Sequence, residues 1–104
     1  MDDKPLSEQF RIVAKQWVDA DSAANLLEET KSAYLARLMA GQGDMPVSRA
    51  EMNVKASDNW MEHITKMVTA RERASLLKVQ LEYLRMRFNE WQSDTATRRA
   101  EMRL

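Results

Sequence analysis

The sequence predicts an all-α protein, a long antiparallel helical hairpin with the packing logic of a coiled coil. Three observations carry that expectation. Two amphipathic stretches, about 8–40 and about 49–92, flank a single break. The break, turn 41–48, holds both glycines of the chain and one of its two prolines. Each stretch is apolar along one stripe, and such a stripe has to be buried against another helix.

The elements follow in chain order. Ser7 can cap the first helix through its hydroxyl, and Glu8 suits the positive end of the helix dipole. Phe10, Val13, Trp17, Ala20, Ala24, Leu27, Tyr34 and Leu38 then recur at steps near three and four, interrupted at Lys31. Gly41 fits a left-handed cap after the last turn. Ser48-Arg49-Ala50-Glu51 has the capping-box pattern and predicts a short helical piece from about Arg49 to Ala56. Whether the chain kinks near Ser57 stays open. The second stripe is the cleaner one: Trp60, Ile64, Met67, Ala70, Ala74, Leu77, Leu81, Leu84, Phe88 and Trp91. Ser93-Asp94-Thr95 lowers helix propensity, so 93–104 reads as a short or frayed tail.

Folding back at the break places residue i near residue 98 − i, an approximate register set by the turn. Leu38 then faces Trp60, Tyr34 faces Ile64, Ala24 faces Ala74, Trp17 faces Leu81 and Phe10 faces Phe88. Alanines meet in the middle, as close helix approach requires.

Composition excludes several classes. At 104 residues the chain is read as one helical domain, 1–104. It has no cysteine, which removes disulfides, thiolate metal sites and thiol nucleophiles. No apolar run reaches the ~18 residues of a membrane span. Met1-Asp2-Asp3-Lys4-Pro5 is unlike a signal peptide, so a cytoplasmic location is expected.

No catalytic, cofactor or metal site is expected. His63, the only histidine, has no paired Glu-x-x-His partner unit and reads as a surface or boundary residue. Asp19, Asp21, Glu28 and Glu29 read as a solvated flank that pairs with the more basic second helix. Gly41-Gln42-Gly43-Asp44 lacks the Gly-Lys-Ser/Thr ending of a phosphate loop and follows a helix, not a strand.

Two surface features remain. Residues 1–48 carry five Lys/Arg against eight Asp/Glu, a charge of −3, and 49–104 carry eleven against eight, +3. The basic end makes Arg98, Arg99 and Arg103 candidate anion contacts, although Glu90, Asp94 and Glu101 interrupt the field. The other feature is a second apolar stripe, Leu76, Val79, Tyr83 and Met86, nearly opposite the first. A helix apolar on two faces is buried on two faces. The expected result is a homodimer in which the second helices pair into a four-helix bundle, with cover by another protein as the alternative.

The run Tyr83-Leu84-Arg85-Met86-Arg87-Phe88-Asn89-Glu90-Trp91-Gln92-Ser93, with Ala96-Thr97-Arg98-Arg99-Ala100-Glu101-Met102 after it, resembles the ends of small helical phage and prophage proteins. That resemblance covers the C-terminal half and implies a phage context without a mechanism. The turn has no Trp, which separates the chain from the small secreted hairpins that carry Trp-x-Gly there. The expected function is a non-enzymatic helical interaction or structural protein. The alternative is a nucleic-acid-binding accessory of phage replication or recombination, acting through the basic end.

Overall fold

The computed structural model describes residues 3–103; Met1, Asp2 and Leu104, which belong to the expected N-terminal segment and tail, lie outside the described residues. Four helices follow in order: α1 Leu6–Glu29, α2 Lys31–Ala40, α3 Val47–Lys55 and α4 Asp58–Arg103. There is no strand among the described residues. The shape is a rod of 84 × 21 × 17 Å.

Proline starts α1 and α3, where serine was expected to. Pro5 (φ −55°, ψ 151°) and Pro46 (φ −56°, ψ 142°) occupy the N-cap positions, and neither helix has a side-chain cap. The Pro5 carbonyl accepts from the Glu8 and Gln9 amides at 3.0 Å, and the Pro46 carbonyl accepts from Arg49 and Ala50. A proline ring holds the extended geometry that a cap needs. Ser7 and Ser48 therefore fall inside the first turns.

The first long stretch bends at Thr30 (φ −89°, ψ −1°), which separates α1 from α2. Its hydroxyl donates to the Leu26 carbonyl at 2.7 Å. The Thr30 amide reaches the same carbonyl at 3.0 Å, so the helix ladder carries on across the break. Gly41 is right-handed (φ −71°), not the left-handed cap expected. Its amide still reaches the Arg37 carbonyl at 3.2 Å, and the left-handed residue comes later, at Gly43 (φ 85°). A second break separates α3 from α4 at Ala56–Ser57. There the Ser57 hydroxyl accepts from the Trp60 amide at 3.3 Å and caps α4.

The tail differs most from expectation. α4 continues without interruption through Ser93, Asp94 and Thr95 to Arg103. Thr95 keeps its hydroxyl inside the helix, donating to the Trp91 carbonyl at 2.9 Å. Arg103 lies in the last turn, where positive charge suits the helix dipole.

α1 and α4 run antiparallel and form the main interface. Three contacts set the register of the fold-back. The Arg85 guanidinium lies 6.0 Å from the Phe10 ring centroid. Arg71 binds Asp21, Asn25 and Glu28. Tyr34, on α2, stacks on His63 at 4.4 Å and on Trp60 at 6.3 Å. The offset agrees with the expected fold-back to within a few residues. Tyr34 meets Trp60 and His63, whereas Leu38 had been expected opposite Trp60.

The core is thin. Its buried apolar residues among those described are Val13, Ala20 and Ala24 of α1, Ala50 and Val54 of α3, and Trp60, Ala74 and Leu84 of α4. Half of them are alanines. They let backbones approach closely but bury little apolar area each.

Candidate functional site

The second apolar stripe lies on the outer face of α4. Leu76, Val79, Tyr83 and Met86 are 67 %, 61 %, 57 % and 60 % exposed. The reason is geometric. Ala74 and Leu84 point into the α1 seam, and at about 100° per residue these four fall on the far side of the same helix. Met61 and Val68 are also exposed and continue the stripe towards the start of α4. Sequence reading missed both, because Thr65 and Glu72 separate them from the later four.

Tyr83 is not isolated on that face. The Arg87 guanidinium, one turn on, lies 6.0 Å from its ring centroid. No ion pair among the described residues uses Arg87 or Glu72.

The open end of the hairpin carries a second apolar surface. Phe88 and Trp91 were expected in the core but are 43 % and 57 % exposed. α1 begins at Leu6, so it runs out opposite them. Their rings stack on each other at 6.0 Å. Leu6, Phe10, Leu84 and Phe88 line an open notch of about 320 Å³ there.

Beyond this notch α4 runs on to Arg103. Arg98, Arg99 and Arg103 are all exposed on it. They do not form one stripe, because adjacent helical residues such as Arg98 and Arg99 point about 100° apart. Arg99 and Arg103, one turn apart, share a face, and Arg98 points away from it.

His63 sits at the boundary between surface and core. Its Nε2 is buried without a hydrogen-bond partner. The ring is held by stacking on Tyr34 and, at 6.1 Å, beside Trp60. Asp21 and Glu28 are joined to the basic helix through Arg71: Nη1 reaches Asp21 at 2.7 Å and Nε reaches Glu28 at 2.8 Å. That hydrogen bonding holds the Glu28 carboxyl below the usual glutamate range and raises the Arg71 guanidinium further above its own. The pairing ties the hairpin together. No group of three or more His, Asp or Glu side chains among the described residues is placed to hold a metal ion. No described helix is long and apolar enough to cross a membrane.

Comparison with known proteins adds no relative: no family model, no curated protein and no solved structure matches the chain.

Proposed function

We propose that this chain is a non-enzymatic helical interaction protein that works by presenting the outer face of α4, first of all to a second copy of itself. The observation that carries the reading is the exposed run of Leu76, Val79, Tyr83 and Met86. Scattered apolar residues on a surface are ordinary, but a contiguous row marks an interaction site. The thin, alanine-rich core supports the same reading, since a small domain with little buried area gains stability by association. Pairing two copies through α4 gives a four-helix dimer with coiled-coil packing, a row of helices in place of the closed bundle expected, set in the cytoplasm. A phage or prophage setting rests on the C-terminal resemblance alone.

Light scattering at tens of micromolar tests the proposal. A dimer mass is expected for the native chain and a monomer mass for the Val79→Glu/Met86→Glu pair. A native monomer would sink it, as would a double variant whose mass and melting temperature do not change.

The basic end of α4 supplies the second reading, nucleic-acid binding through Arg98, Arg99 and Arg103. Its support is that the helix carrying them is exposed as far as Arg103. The separate direction of Arg98 and the intervening Glu101 make it the weaker one.

A further inference from the structure

We infer that α4 pairs with α4 of a second copy antiparallel and in one register, with Glu72 of each copy set against Tyr83 and Arg87 of the other. This rests on the proposed self-association and adds its geometry.

Start with the outer face itself. Between Met61 and Met86 it is apolar except at Thr65 and Glu72. Glu72 is exposed and central to the row, so any helix that covers the row must also cover its carboxylate. Burying a charge without a partner is costly. The arrangement of two α4 helices is therefore decided by what Glu72 meets.

A parallel pair in register sets Glu72 against Glu72 and Glu90 against Glu90, two like-charge layers. Antiparallel pairs differ by steps of one heptad. In one of them Leu76 faces Val79 of the second copy, Glu72 faces Tyr83, and Val68 comes within one residue of Met86. Every apolar member of the row from Val68 to Met86 is then used, twice over by symmetry. Glu72 arrives where Arg87 already lies over the Tyr83 ring. It can accept from the phenol hydroxyl and pair with the guanidinium, and no intramolecular ion pair among the described residues competes for either charge. Slipping one heptad one way opposes Glu72 to Glu90. Slipping the other way opposes it to Leu76. Only the middle register satisfies the carboxylate and the apolar layers together.

The area suffices. Five exposed side chains of Val to Tyr size on each copy, with their flanks, bring the pair to roughly 1,000 Å² of buried surface, the lower end for a specific interface. Because the outer row lies about 180° from the α1 seam, the four helices stand in a row, α1–α4 then α4–α1, and not at the corners of a square.

Engineered cysteines test the register cleanly, since the chain has none of its own. Single variants Val68→Cys and Met86→Cys are made in the full chain, and their helicity is checked by circular dichroism. Under mild oxidation the mixture of the two should give a covalent dimer. Each alone should not, because like positions lie roughly 25 Å apart along the paired helices at 1.5 Å per residue. Cross-linking of either single variant with itself would overturn the antiparallel pairing. A native dimer by mass whose mixed variants fail to cross-link would overturn the register and leave self-association standing; a native monomer overturns both. As a second measurement, Glu72→Lys and Arg87→Glu should each weaken dimerisation about tenfold, and the two together should restore it. A double variant no tighter than the singles would overturn the Glu72–Arg87 contact.

Discussion

Arg71 of α4 grips Glu28 of α1 with two parallel hydrogen bonds, Nε to Oε1 at 2.8 Å and Nη2 to Oε2 at 3.0 Å, across 43 residues of sequence. A guanidinium fork matches a carboxylate in this way where a lysine ammonium cannot. The same side chain also reaches Asp21 and, at 2.6 Å, Asn25. One residue thus fixes the mid-section of the hairpin in rotation and in register.

Stability should therefore depend on Arg71 and on pH together. The Glu28 carboxyl is held below its ordinary value chiefly by its hydrogen bond to Arg71. A carboxyl depressed by folding contributes stability above its unfolded value and loses it as pH falls through the folded one. For Glu28 that window opens downward from about pH 4. Arg71→Lys should lower the melting temperature at pH 7 and flatten the acid side of the stability–pH profile. Thermal melts from pH 2 to 7 read both effects, and an unchanged acid limb would refute the link.

The buried alanines predict intolerance to size. Ala24 and Ala74 are both buried in the α1–α4 seam. Ala24→Leu should force the helices apart and destabilise by about 1–3 kcal/mol, measured by urea unfolding. A neutral result would mean that the seam is looser than the burial of these residues implies.

Burial also separates two apolar truncations. Val13 is fully buried, whereas Leu76 lies on the outer row. Val13→Ala should cost on the order of 2 kcal/mol at any protein concentration. Leu76→Ala should stay within about 0.5 kcal/mol for the dilute monomer and lower the melting temperature only where the native chain associates. Melts at two concentrations a hundredfold apart would show the difference.

For the basic end, replacing Arg98, Arg99 and Arg103 together by Ala should leave the hairpin's melting midpoint unchanged, because that part of α4 lies beyond the start of α1. If the three contact phosphates, the change should weaken DNA binding equally for all sequences and flatten its salt dependence. A gel shift at low salt with the native chain is the first measurement. We expect no shift, and a clear one would favour the second reading.

Helix content, the fold-back and, to within a few residues, the meeting of Phe10 and Tyr34 with α4 were legible in the residues. Apolar spacing is a local property of the chain, and a helix turns it directly into a face. The outer row of α4 was legible for the same reason. Helix ends were not. Whether Pro5 or Ser7 starts α1, and whether Gly41 or Gly43 turns left-handed, depends on which backbone groups find partners in the folded turn. Similarly, Ser93-Asp94-Thr95 is a breaker only if its side chains leave the ladder, and Thr95 stays within it. Exposure was the other thing that only the tertiary structure decided. Phe88 and Trp91 continue the seam by spacing, but α1 does not extend far enough to cover them. Arg71 looked like one basic residue among several. Its importance came from three acceptors on α1, Asp21, Asn25 and Glu28, brought to the same point by a helix that returns antiparallel. Periodicity tells a side chain which face it is on, while its partners and cover depend on where another part of the chain begins, bends and stops.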